Sequence, residues 1–297
     1  MTDYQRGARG GPARRGLARV LAVIAAAGLA TAACDAGAGV ASAGHKTGHV
    51  AVVSRTDARR TAAGGTSGGA TGGASSPKPL AGKIVGIDPG HNGRNYTDPA
   101  FLNRQIWNGR EWEDCDTTGT ETDSGYTEAR YNFNVARYLR ADLRRDGARV
   151  VMTRQNNHGI GPCVNRRARI IDRAHASVAV DIHADGAPSW GRGFAILEPV
   201  ADGPNDHVIT SSERFGRDVR RAMLGHTQMP TSNYDGVNGI QFRDDLAGLN
   251  LTTVPKVLIE CGNMKNATDA RMLVTARFQR RVAQALTIAI IRFLTGR

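Results

Sequence analysis

The sequence predicts an α/β fold, a single domain with a mixed, largely parallel sheet of about six strands and helices on both faces. Three observations carry this. From Lys83 onward, short apolar runs alternate with stretches of helical periodicity. The runs are continuously apolar, as expected of strands buried on both faces. Residues able to do chemistry, His91, His183 and Glu260 among them, fall where those runs end, and open α/β sheets gather their ligands at strand ends.

Taken in order, Ile84-Val85-Gly86-Ile87 reads as the first strand, followed by an irregular region over 91–126. From Glu128 to Asp146, apolar side chains recur at Tyr131, Val135, Leu139 and Leu143, the stripe of an amphipathic helix that Gly147 is placed to stop. A strand over 150–152 leads to a helix over 164–176, with Ala168 and Ile171 on one face, and then to a strand over 178–182. Next come a strand over 194–197, a helix over 206–224 and a late strand over 257–259. Helical segments around Ala270 and over 278–294 close the chain.

The 297 residues carry a formal net charge of +12, which invites a nucleic-acid reading. Residues 1–43 hold +3, 44–79 hold +4 and 80–297 only +5, so most of the excess precedes the foldable part. No helix-turn-helix, zinc finger or aromatic-basic motif accompanies it, and no nucleic acid is expected as a partner. Arg6, Arg9, Arg14, Arg15 and Arg19 precede fourteen uncharged residues, Val20 to Ala33, and Ala41-Ser42-Ala43 follows. That is the order of a secretory signal peptide over 1–43, and the apolar stretch is short of the roughly 20 residues that span a bilayer. Thr31-Ala32-Ala33-Cys34 resembles a lipoprotein box without its usual aliphatic residue, and Arg14-Arg15-Gly16-Leu17 is a partial twin-arginine pattern. The chain is therefore expected to be exported to the periplasm or cell wall, with a lipid at Cys34 as its one route to a membrane anchor. Residues 44–79 are rich in Gly, Ala, Ser and Thr and read as a flexible linker, leaving 80–297 as the catalytic domain. Within the linker, Gly65-Thr66-Ser67-Gly68-Gly69 matches GxSxG, but it lacks the strand and helix that a nucleophile elbow requires, and His45 and His49 read as inert.

The strand ends hold Asp88-Pro89-Gly90-His91, Ile182-His183-Ala184-Asp185 and Ile259-Glu260-Cys261-Gly262, and Glu128 opens the long helix. A catalytic zinc takes three nitrogen or oxygen ligands and keeps one position open, which two histidines and a glutamate satisfy. A remaining carboxylate could then move protons. Spacing alone leaves the matter open: 37 and 55 residues separate His91, Glu128 and His183, and a strand-end histidine can equally be a satisfied core residue. Asp88 and Asp181 read as supports behind ligands rather than ligands. His158, His175, His207 and His226 read as surface or packing residues.

Four motifs, Ile87-Asp88-Pro89-Gly90-His91, Glu128-Ala129-Arg130-Tyr131-Asn132, Asp181-Ile182-His183-Ala184-Asp185 and the run 258–266, occur in an order that resembles zinc-dependent N-acetylmuramoyl-L-alanine amidases of the amidase-3 family. The resemblance covers about residues 83–295 and includes Val151-Met152-Thr153-Arg154 and Asn165-Arg166-Arg167-Ala168. It implies one zinc ion per chain held by His91, Glu128 and His183, with Glu260 as the catalytic carboxylate. It also implies peptidoglycan or muropeptides as substrate, cut between N-acetylmuramic acid and L-alanine. Arg192 and Asn266 are candidates for substrate contact, and a monomer is expected. Asn263-Met264 departs from the family, where an aromatic residue commonly follows the glycine, and this bears on the pocket wall. The alternative is a catalytically silent wall-binding protein, which would be expected to have lost a ligand or Glu260; all four are present.

The stretch between His91 and Glu128 must border such a site and reads as a lid or groove wall. Six acids lie within 111–123, without EF-hand spacing, and read as a solvated loop. Cys34 belongs to the leader and Cys261 follows Glu260 in a strand, where a buried thiol is the default. That leaves Cys115 and Cys163 as an expected disulfide of an exported protein.

Overall fold

The computed structural model describes residues 78–296. The expected leader, Cys34, the GxSxG match, His45, His49 and nearly all of the linker lie outside the described residues. The elements are β1 (Ile84–Pro89), α1 (Pro99–Leu102), β2 (Gln105–Trp107), β3 (Trp112–Asp114), α2 (Glu128–Arg145), β4 (Arg149–Met152), α3 (Val164–Arg173), β5 (Val178–Asp185), β6 (Ala195–Pro199), α4 (Ile209–His226), β7 (Ile240–Arg243), α5 (Ala247–Asn250), β8 (Lys256–Asn263), α6 (Ala267–Leu273) and α7 (Ala276–Thr295). Six strands form one sheet in the order β4-β1-β5-β8-β6-β7. Every neighbouring pair is parallel except β6 with β8. The mixed, largely parallel sheet expected from the sequence is the one found.

The stripe on α2 is buried as its spacing requires, with Tyr131, Val135, Leu139 and Leu143 all inaccessible. Gly147 stops the helix in a left-handed conformation, φ 98°. Three details differ from expectation. The helix expected over 206–224 begins with a separate 3₁₀ turn, Asp206–Val208. The edge strand β7 was not foreseen. The irregular region contains α1 and an antiparallel hairpin, β2 with β3, which closes with Trp107 edge-on to Trp112.

The pleat sorts the strands into two unlike faces. Val85, Ile87, Val178, Val180, Ile182, Ala184, Val257, Ile259 and Cys261 join the large apolar core with residues of α2, α4 and α7. The alternate residues Asp88, Asp181, His183, Lys256 and Glu260 belong to the other face, partly covered by α3 and α5 through Ile171 against Ala179 and Leu249 against Leu258. The strands are buried on both faces, but only one of those faces is apolar.

Candidate metal and catalytic site

β1 and β5 run side by side at the middle of the sheet. The chain leaves β1 through Gly90 to His91, which sits at φ 56°, a left-handed conformation uncommon for a residue with a side chain. Only glycine fits before it, because a Cβ on Gly90 would stand 2.1 Å from His183 Cε1. The two imidazoles meet edge to face with centroids 4.9 Å apart. Glu128, at the first turn of α2, reaches both: its Oε2 lies 3.2 Å from His91 Nε2 and its Oε1 2.8 Å from His183 Nδ1. The carboxylate is further fixed by the backbone amides of Thr120 at 3.0 Å and Ala184 at 3.3 Å. Glu260 on β8 is the direct cross-strand neighbour of His183 on β5, so the two side chains share a face. Its Oε2 is buried with no hydrogen-bond partner among the described residues.

Each histidine turns its second nitrogen toward acceptors. His91 Nδ1 lies 3.1 Å from the Thr117 carbonyl oxygen and 3.4 Å from Asp116 Oδ1. His183 Nε2 lies 3.4 Å from Asp181 Oδ1. Acceptors lie near the outer nitrogens, so a proton held there would leave the inner nitrogens, which face Glu128, free to bind a cation, the orientation that metal-ligating histidines adopt. One ligand atom from each of His91, Glu128 and His183 falls within 4.8 Å of the others, and this is the group of that kind found among the described residues.

The electrostatics favour positive charge at the centre. Burial opposes protonation of His91, but the Glu128 charge and the Asp116 and Glu128 hydrogen bonds outweigh it and raise the imidazole to about 9. His183 is pushed up against burial by Asp181 and Glu128. Glu128 is held well below the usual carboxylate range because the two histidines outweigh its burial. Glu260 is pushed well above it by burial, with His183 opposing and Glu128 and Asp185 adding to the rise. A nitrogen–oxygen donor set of this kind suits a divalent cation, which would supply at the centre the charge that the two histidines otherwise take up as protons.

The sequence profile of the N-acetylmuramoyl-L-alanine amidase family, amidase-3, matches residues 85–292. The chain belongs to this family. It is 37% identical over 227 residues to N-acetylmuramoyl-L-alanine amidase Rv3717 of Mycobacterium tuberculosis, covering 74% of this chain and 90% of that one. A germination-specific N-acetylmuramoyl-L-alanine amidase of Bacillus subtilis is 24% identical over 239 residues, covering 73% and 82%. Among solved structures, the amidase Ami1 of Mycobacterium smegmatis superposes with a TM-score of 0.69 at 37% identity, covering 73% of this chain and 99% of that one. With these relatives the chain is an enzyme, an amide hydrolase of the amidase-3 fold.

The remaining residues singled out in the sequence are placed as follows. Cys115 and Cys163 form a disulfide, and Cys261 is free and buried. The segment 115–120 passes directly over the site: a Cβ on Gly119, at φ 72°, would come 2.6 Å from His91 Cδ2 and 2.7 Å from Glu128 Oε2. In the acidic run Glu111, Asp114, Glu121 and Asp123 are exposed, as expected of a solvated loop, but Asp116 is buried against Arg167 and Glu113 accepts from Asn108. Arg192 is one-third exposed and pairs with Asp269. Asn266 caps α6, accepting from the Thr268 and Asp269 amides and donating to the Ser189 carbonyl. Asn263 donates to the carbonyls of Ala187, Pro188 and Gly191 and so ties down the loop after β5, while Met264 enters the core. Sequence reasoning missed Asp116, Arg167 and Lys256 as parts of the site. Charged residues flanked by apolar ones, as Lys256 is by Pro255 and Val257, were the available signal.

Proposed function

We propose that this protein is an exported zinc enzyme that hydrolyses the amide between N-acetylmuramic acid and L-alanine in peptidoglycan or its muropeptides, serving cell-wall remodelling or recycling. The observation that carries the reading is the convergence of His91, Glu128 and His183 on one point, with the orphaned carboxylate oxygen of Glu260 beside it. Those three side chains would hold the ion. When bound, zinc lowers the pKa of a water toward about 7 and polarises the amide carbonyl. Glu260 accepts the proton of the attacking water and returns it to the leaving amine of L-alanine, a task suited to a carboxyl whose surroundings raise its proton affinity. Asp116, Thr117 and Asp181 keep the ligand histidines in the required tautomers.

Arg192, its side chain one-third exposed, is the better placed of the two substrate-contact candidates; Asn266 has its side chain engaged at the α6 cap. The leader over 1–43 and the linker over 44–79 belong to the same reading, as does a monomeric state; a lipid at Cys34 is its variant, in which the leader is cut before Cys34 instead. Among the described residues no helix is long and apolar enough to cross a membrane.

Incubation of the purified protein with muramyl dipeptide, with and without chelator, tests the activity. Release of a peptide with a free L-alanine amino group, lost with chelator and restored by zinc, is the expected result. An uncut substrate in the presence of zinc, or cleavage indifferent to chelation, would contradict it.

A further inference from the structure

Behind the site, the two histidines are joined a second time through the interior. From His91, Asp116 Oδ1 is 3.4 Å away, and Asp116 Oδ2 lies 2.9 Å from Arg167 Nη2. Arg167 Nη1 lies 3.0 Å from Asp88 Oδ1, and Asp88 Oδ2 lies 3.1 Å from Lys256 Nζ. Lys256 Nζ is 3.5 Å from Asp181 Oδ2, and Asp181 Oδ1 is 3.4 Å from His183 Nε2. Resting on the metal reading above, we propose that this buried ladder, Asp116, Arg167, Asp88, Lys256 and Asp181, couples His91 to His183, and that Arg167 and Lys256 are positioning residues for metal binding.

All five side chains are at least nine-tenths buried. Withdrawing that many charges from water costs several kcal/mol each before any pairing, and a fold that needed only stability is served as well by apolar residues. The ladder draws on the insert, α3, β1, β8 and β5, so it ties together the segments that carry or adjoin His91 and His183. Arg167 also donates to the carbonyl oxygens of Pro89, His91 and Pro162 and thereby clamps the turn that presents His91. The Cys115–Cys163 disulfide lies one residue before Asp116 and at the N-terminus of the helix bearing Arg167, so it staples the same junction covalently. At the other end, the Lys256 ammonium has Asp88 and Asp181 as its ion-pair partners among the described residues.

The charges explain the composition. Three carboxylates against two cations leave one negative charge on the ladder, and Glu128 contributes a second. Two neutral histidines and one divalent ion balance that set. Removing the Lys256 charge strands Asp88 and Asp181 as adjoining buried carboxylates, of which Asp88 alone keeps an arginine partner. Asp181, without the ammonium that holds its Oδ2, is then no longer fixed beside His183 Nε2.

Lys256→Met tests the ladder, because Lys256 touches neither histidine. Zinc affinity is measured by competition with a chromophoric chelator, and the ring ¹⁵N signals of His91 and His183 are recorded in the metal-free protein. The expected result is zinc binding about ten- to a hundredfold weaker, with ring signals of both histidines displaced. Zinc binding within twofold of the parent, together with unmoved His91 ring signals, would overturn the proposal. A parent protein that binds no zinc would refute the metal reading instead, and the ring signals would still decide the ladder. Should Lys256→Met fail to fold, Asp116→Asn reads it from the other end, since its amide keeps an oxygen for Arg167 while its NH₂ faces His91. Displaced His183 ring signals are then expected, and unmoved ones overturn the coupling.

Discussion

The two faces of the sheet are built from the same strands and answer to different physics. On the α2, α4 and α7 side, Val85, Ile87, Val180, Ile182 and Ile259 are fully buried in one apolar core. One residue along each of these strands, the opposite face holds Asp88, Asp181 and Lys256, buried and paired with one another, and the half-buried His183 and Glu260. The apolar face supplies stability through burial, and the polar face spends some of that stability to hold charges around a group that could bind a cation. Substitutions on the first face should lower stability and spare metal binding; those on the second should change metal binding.

The largest stability effect is expected on the apolar face. Phe215 of α4 is fully buried and packs 5.2 Å from the Phe293 ring of α7. Phe215→Ala should cost about 3–5 kcal/mol, seen as a Tm drop of about 6–20 °C, with zinc affinity unchanged in the folded protein. A loss of zinc affinity there would erase the distinction between the faces. Next comes the disulfide, which serves the polar face. Cys115→Ser with Cys163→Ser should cost about 2–4 kcal/mol and, unlike Phe215→Ala, also weaken zinc binding by loosening Asp116 from His91. Parallel denaturation and chelator-competition measurements separate the two outcomes.

The smallest effect comes from a charge on the wrong side. Glu198 of β6 is buried against Gly216 of α4, and one carboxylate oxygen has no partner among the described residues. Burial and Glu213 raise its pKa from 4.5 to about 7, with Arg217 opposing. Between these values the folded state keeps a proton that the unfolded state has lost, so this contribution to stability falls as pH rises through the window. Glu198→Gln should therefore raise Tm by about 2–4 °C at pH 8, corresponding to about 1 kcal/mol, and by nearly nothing at pH 4.5. An equal gain at both pH values would place the effect elsewhere.

The sequence made the apolar face legible because burial leaves a local mark. Tyr131, Val135, Leu139 and Leu143 announce α2, and the short apolar runs announce the central strands. His91, Glu128, His183 and Glu260 stand out as candidates because strand and helix ends are local features as well, and the resemblance of their motifs to the amidase-3 family implies their roles. What escaped was either weakly patterned or non-local. β7 is a four-residue edge strand, Ile240-Gln241-Phe242-Arg243, with Phe242 exposed and too little burial to impose a pattern. The hairpin strands are three residues each and mostly exposed. Lys256 pairs with Asp88 across 168 positions and Arg167 with the same residue across 79, so no window of sequence shows that these charges are internal. Asp116 looked like one acid among six in an exposed loop until the fold set Arg167 against it.

The central claim is that Glu260 moves the proton while three other side chains hold the ion. Glu260→Gln, with zinc content and muramyl dipeptide turnover measured on the same purified sample, tests it most directly. The expected result is about one zinc per chain with turnover lowered by about 10²–10⁴-fold. Near-normal turnover, or loss of zinc in step with activity, would contradict it.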